Sequence, residues 1–386
     1  MFTMIHKCKG GNTMRKFISV LLAGAMIAST MLGTTVVAHA DDDMRVAMIT
    51  DYGDITDQSF NQTTYEACQA WCQENSVDFT YKKPATDADA DRESSMEEAI
   101  EDGYNVIVMP GYAFAVAIVN VAPIYPDVKF VALDVSEYDL DTAAGGDFAE
   151  ENVYSAVYQE ELAGYMAGYA AVKLGYKKLG FLGGMAVPAV IRYGFGFVQG
   201  ADDAAVELGL DDVELKYVYG GQFFGDADIT SVMDTWYQGG TEVVFACGGG
   251  IYSSAAEAAA KIDGKVIGVD VDQKGTIDDA YGDGMTVTSA MKGLAATVKT
   301  LLTAIKDGNW DDYKGQVQNL GLVSENPEEN YVQLPASTQW ADGFTEDDYN
   351  ALVAKMFSGE IEVDSNTEAM PEVEAITVDD QGAIKG

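Results

Sequence analysis

Short apolar runs alternate with segments of helical spacing along most of this chain. Residues Val46–Ile49, Phe79–Tyr81, Asn105–Met109 and Lys129–Leu133 each read as a strand, with helical patterns over 59–73, 94–100 and 113–122 between them. Runs this short and this continuously apolar belong to strands covered on both faces, so the pattern predicts a parallel sheet sandwiched by helices. The pattern breaks at Gly145-Gly146-Asp147, passes through an extended run over 152–157 and starts again. Its second set has strands over 178–183, 214–219, 242–246 and 265–269, and helices over 160–174, 188–208, 229–237 and 254–261. The α/β alternation thus occurs twice, in two blocks of similar size, which predicts two doubly wound parallel sheets. An extended run over 285–290, a helix over 294–307 and a strand over 316–323 follow. The remainder, through Asp379-Asp380, is acidic and irregular and is expected to be poorly ordered.

The first forty residues stand apart from this pattern. Arg15-Lys16 precedes an uncharged, mostly apolar run from Phe17 to Val37, and Ala38-His39-Ala40 closes it with small residues in cleavage spacing. This is the form of a secretory signal, so the protein is expected to be exported. Its removal takes away Lys7, Lys9, Arg15 and Lys16 and no acid, from a chain whose net charge is already −39. Such a surface repels nucleic acid and anionic lipid. Both histidines, His6 and His39, leave with the signal. What remains has no Ser-His or Cys-His pair and no His-ligated metal. Of the four cysteines, Cys8 is in the signal; Cys68, Cys72 and Cys247 fall in helix or strand patterns and are expected to be buried, with no disulfide framework.

Candidate chemistry collects where predicted strands end. The stretch from Asp51 to Asn61 joins the first strand to the first helix, at the edge of an open α/β sheet where ligands bind. Asp51, Ser59 and Asn61 can hydrogen-bond a polar solute there, and Phe60 can stack on a flat one; alternatively, Ser59 or Asp57 caps the helix. Asp134, Gly248 and Asp270 also lie just past strand ends, so two blocks facing each other would bring these positions to one cleft. Tyr112, Phe114, Phe223 and Phe224 fall in strand–helix loops as well. Carboxylates accept from sugar hydroxyls, aromatic faces suit a nucleobase or sugar face, and Lys292 could offset the burial of two acids.

Other motifs carry less. Asp87, Asp89 and Asp91, with Glu98 twelfth in the count, have calcium-loop spacing, but Arg92 occupies the turn position that needs glycine. These acids more simply charge a helix start. Gly194, Gly196 and Gly200 lie inside a helical stretch, and Gly164 and Gly168 in another, so both sets suggest close helix packing rather than a dinucleotide loop.

Several pieces together resemble one family. They are Thr50-Asp51 through Ser59-Phe60-Asn61-Gln62, Asp127–Phe130 leading to Asp134, Tyr165–Tyr169, Gly180–Met185, Arg192-Tyr193 with Gly196-Phe197, and Val266–Gln273. In this order and spacing they are similar to the basic-membrane-protein family of bacterial solute-binding proteins, near its purine nucleoside receptors. The resemblance implies a type I periplasmic-binding-protein fold, two lobes joined by a three-crossing hinge with crossings near Val153, Thr286 and Leu320. Residues 1–40 are then the signal, 41–153 plus 286–320 the first lobe, 154–285 plus 321–358 the second, and 359–386 an acidic tail. It further implies a non-enzymatic, monomeric receptor of an ABC importer, with a permease and ATPase as partners and no cofactor or metal. Phe60 and either Phe223 or Phe224 would sandwich the base, Asn61 and Asp134 would read its edge, and Asp270, Lys292, Gly248 and Asp51 would hold the ribose. The family is typically lipid-anchored through a cysteine at the signal cleavage site, which this signal lacks, so a lipid anchor is not expected. A sugar receptor on the same fold, a sensory receptor without transport, and a nucleoside hydrolase using acids such as Asp270 and Asp272 are the alternatives.

Overall fold

The computed structural model describes residues 44–51 and 53–385, so the expected signal lies outside the described residues. The strands are β1 (Arg45–Ile49), β2 (Asp78–Lys82), β3 (Val106–Pro110), β4 (Lys129–Leu133), β5 (Val153–Tyr158), β6 (Lys178–Gly183), β7 (Val213–Tyr219), β8 (Val243–Cys247), β9 (Lys265–Asp270), β10 (Thr286–Lys292), β11 (Gln316–Leu320), β12 (Val332–Gln333) and β13 (Ile376–Ala383). They form two sheets, ordered β2-β1-β3-β4-β5-β11 and β13-β7-β6-β8-β9-β10-β12. Every pairing is parallel except β10 with β12. The doubly wound α/β organisation read from the sequence is therefore the one the chain has.

The apolar pattern explains why these segments are strands. All five residues of β3 and all five of β8 are buried, as strands covered on both faces must be. The strand order reverses beside β1 in the first sheet and beside β6 in the second, and each reversal leaves a crevice at the carboxyl ends of the strands.

One helix pair fixes much of the second lobe. Helix Glu160–Lys173 packs on helix Pro188–Leu208, and glycines let their backbones touch. A Cβ on Gly164 would stand 2.1 Å from the Tyr193 carbonyl oxygen, and one on Gly196 would stand 2.0 Å from that of Glu161. Glycine inside a helix costs about 0.5–1 kcal/mol relative to alanine. Here the close approach it permits sets Glu160 and Glu161 beside Arg192 and Tyr193.

Three expectations need correction. The chain leaves the first sheet after Tyr158, not at Val153, because β5 pairs with β4 and β11. Strand β10 belongs to the second sheet, so the return crossing follows Lys292 rather than preceding Thr286. The third passage runs from β11 in the first sheet to β12 in the second. The acidic tail is not irregular throughout: β13 adds to the edge of β7. Asp379 and Asp380 are exposed on this edge strand, while Asp202 gathers the amides of Glu374, Ala375 and Ile376 at 2.9, 2.8 and 3.1 Å. The aspartates of 87–91 open helix Asp89–Glu101, with Asp89 and Asp91 in its first turn.

The three crossings are tied to one another. The Gln159 amide donates to the Leu320 carbonyl (3.0 Å), Tyr331 to Gly321 (3.0 Å) and Gly293 to Tyr331 (2.7 Å). No helix among the described residues is long and apolar enough to cross a membrane.

Candidate functional site

A cavity of about 590 Å³ lies at the carboxyl ends of both sheets. Asp51, Phe60, Asn61, Asp134, Phe223, Phe224, Gly248, Asp270 and Lys292, the nine residues to which the resemblance gives a ligand contact, all line it, as does Tyr112, whereas Phe114 is buried in the core. That volume suits a drug-sized ligand.

The first loop is organised by Asp57. Its carboxylate accepts from the amides of Ser59 (2.9 Å), Asn61 (2.9 Å) and Gln62 (3.0 Å) and from Asn61 Nδ2 (3.2 Å). Asp57 therefore satisfies the free amides at the start of helix Phe60–Asn75, and Ser59 is spared for another task. Ser59 Oγ donates to Asp270 Oδ2 at 2.5 Å, from one lobe to the other. Because its amide nitrogen is committed to Asp57, Asn61 presents Oδ1, which is buried and has no protein partner.

Beside this loop stands a cluster of charges. Lys292 Nζ donates to Asp134 Oδ2 (2.5 Å) and Glu160 Oε1 (3.2 Å), lies 3.8 Å from Asp270 Oδ1, and sits 4.6 Å from the centre of the Phe60 ring. Glu160 Oε2 accepts from Arg192 Nε at 2.7 Å, and Tyr193 OH reaches Asp270 Oδ1 at 3.4 Å. Burial pushes the Asp134 carboxyl up to about 6, against the pull of Lys292. Burial also raises Asp270, with Lys292 and Ser59 opposing. Glu160 is equally buried, yet Arg192 and Lys292 together outweigh the burial and hold it below its ordinary value. Glu161, farther from Arg192 at 3.9 Å, is pushed by burial up to about 7. Lys292 stays charged because three carboxylates more than offset its burial.

Asp134 and Asp270 hold the left-handed conformation, with φ of 61° and 65°. This region costs most residues about 1–2 kcal/mol, and aspartate is among the few that visit it. One oxygen of Asp134, Oδ1, is buried without a protein partner. Phe223 lies against the backbones of Gly184 and Gly248: a Cβ on Gly184 would fall 2.4 Å from its ring, and Gly248 has φ +146°. Phe224, half exposed, forms a bridge with Gly250. Among the described residues no group of His, Cys, Asp and Glu is arranged to hold a metal ion.

Sequence reasoning assigned no role to Glu160, and none to Arg192 or Tyr193 beyond their part in the resemblance. The available signal was an acidic pair opening an otherwise Ala- and Gly-rich helix directly after a strand.

A family model described as "ABC transporter substrate-binding protein PnrA-like", Bmp, matches residues 44–367. The chain belongs to the Bmp family. It is 28% identical over 325 residues to the ABC transporter nucleoside-binding protein BmpA of Lactococcus lactis, covering 78% of this chain and 88% of that one. It is 27% identical over 324 residues to a CD4+ T-cell-stimulating antigen of Listeria monocytogenes, covering 77% and 86%. Among solved structures, an ABC transporter solute-binding protein from Aeropyrum pernix K1 has the same fold, with a TM-score of 0.64 at 22% identity, covering 83% of this chain and 87% of that one. This Bmp-family member is thus an ABC transporter substrate-binding protein, of a family that works outside the cytoplasm, binds a small-molecule solute and serves a permease and ATPase rather than acting as an enzyme.

Proposed function

We propose that this protein captures a purine nucleoside between its two lobes by hinge closure and passes it to the permease of an importer. The observation that carries the reading is a pair of buried acceptors without protein partners, Asn61 Oδ1 and Asp134 Oδ1, in a cavity walled by Phe60, Phe223 and Phe224. A buried unpaired polar atom costs about 1–3 kcal/mol. Donors on a purine edge would remove that cost, while the aromatic rings take its faces. Asp270, Lys292, Gly248 and Asp51 then hold the ribose, whose hydroxyls suit a wall rich in carboxylates. The relative named as a nucleoside-binding protein supports the same ligand class.

Calorimetric titration with inosine, guanosine and adenosine tests the reading; heat of binding is expected from at least one, and none from any of the three overturns it. The carboxylates alone would also suit a free sugar. Phe60→Ala separates the two ligands: loss of base stacking weakens nucleoside binding by about 1–3 kcal/mol, whereas sugar binding survives.

A further inference from the structure

The family match ends at residue 367, and β13 lies beyond it. This strand is fastened to the second lobe along its length. Asp202 holds its start, Gln381 Oε1 accepts from Trp236 Nε1 at 3.1 Å, and the Ile384 amide donates to the Tyr219 carbonyl at 2.8 Å. The next residue, Lys385, arrives at the loop Gly220–Asp226, which carries Phe223 and Phe224.

The contacts there form a chain from the terminal strand to the cavity. Lys385 Nζ pairs with the Asp226 carboxylate and reaches Gln222 Oε1 at 3.4 Å. Gln222 Nε2 donates to the Phe224 carbonyl and to Asp226 Oδ2, each at 2.9 Å. Asp226 Oδ1 accepts from the amides of Asp228 and Ile229 at the start of helix Ala227–Gln238. The Phe223 carbonyl accepts from the Gly250 amide at 2.9 Å, on the cavity wall. Backbone meets backbone as well: a Cβ on Gly221, at φ +82°, would fall 2.6 Å from the Lys385 carbonyl oxygen. Lys385, followed by the Ile229 amide, holds the Asp226 carboxyl down at about 2, so Asp226 stays ionised at neutral pH.

We propose that Lys385 is a positioning residue for ligand binding: through Asp226 and Gln222 it sets the loop that places Phe223 and Phe224 against the cavity. The terminal strand is then an element through which affinity is tuned without touching the solute. The proposal rests on the nucleoside reading only for the choice of ligand.

The test uses full-length Lys385→Ala, Lys385→Glu and Lys385→Arg and two measurements. Amide hydrogen exchange over residues 220–226 of the free protein reads the loop without ligand. Calorimetry with the nucleoside that the unaltered chain binds reads affinity. Lys385→Ala is expected to speed exchange in the loop while leaving β1 and β3 unchanged, and to weaken binding about three-fold, as befits an ion pair near the surface. Lys385→Glu, which places two carboxylates together, goes further, and Lys385→Arg restores both readings. Unchanged exchange overturns the proposal, as does faster exchange with unaltered affinity, or failure of Lys385→Arg to rescue. If the unaltered chain binds no nucleoside, the functional reading fails by itself, and loop exchange with its arginine rescue still decides for or against the hold of Lys385.

Discussion

The two sheets place an aspartate at matching positions, and the two aspartates differ in what they have left to offer. Asp134 follows β4, fourth strand in from the β2 edge; Asp270 ends β9, in the same place counting from β7. Both adopt the same left-handed backbone, which turns the carboxylate into the cavity. Yet Asp270 has both oxygens engaged, with Ser59 of the opposite lobe on one and Tyr193 and Lys292 on the other. Asp134 gives one oxygen to Lys292 and keeps the other without a protein partner. Both aspartates thus reach across the lobes, Asp270 to Ser59 and Asp134 to Lys292, but only Asp134 keeps an open acceptor.

The largest expected effect comes from removing the cation the two share. Lys292→Met leaves Asp134, Glu160 and Asp270 around an uncharged side chain. Breaking a buried pair in this way costs about 3–5 kcal/mol, to be read as a lower midpoint in urea unfolding. An unchanged midpoint would mean the acids are neutralised without Lys292.

The next effect separates the aspartates. Asparagine tolerates the same backbone, so Asp134→Asn and Asp270→Asn change charge and acceptor count alone. Asp134→Asn is expected to weaken nucleoside binding about ten-fold or more, the scale of a lost hydrogen bond to a charged group. Asp270→Asn should weaken binding less, because both of its oxygens already have partners within the protein. Identical behaviour of the two variants would erase the distinction.

The smallest effect is a pair of opposed pH trends. Asp134, raised to about 6, and Glu161, raised to about 7, bind protons more tightly folded than unfolded. Their contribution to stability is therefore greatest on the acid side and is lost as pH rises through those values. Ligand binding runs the other way, since a donor on the solute needs the ionised Asp134: affinity falls as pH drops through about 6. Stability and affinity moving in the same direction across that range would argue against Asp134 as the ligand's acceptor.

Much of this was legible in the sequence because strand ends in a doubly wound sheet have only one place to go. Asp51, Asp134, Gly248 and Asp270 could be placed together once the strands before them were recognised. Glu160 and Arg192 were harder: they lie on two helices whose contact depends on Gly164 and Gly196, and sequence spacing suggests close packing without naming its partner. The lobe crossings were misplaced for a related reason. Strands β5 and β10 look alike wherever they pair, and local composition does not tell which sheet a strand joins. The tail misled because its acids suggested disorder, while its order depends on Asp202, far away in the chain.

The three linked crossings also bear on the hinge motion proposed above. Segments at Gln159, Gly293 and Gly321–Tyr331 are joined by backbone hydrogen bonds into a thin three-ply ribbon. In this proposed motion, opening is then expected about one axis, along this ribbon. That motion would release the Ser59–Asp270 bond, the Lys292–Asp134 pair and the bonds from Gln273 and Thr276 to Gln58 as a group.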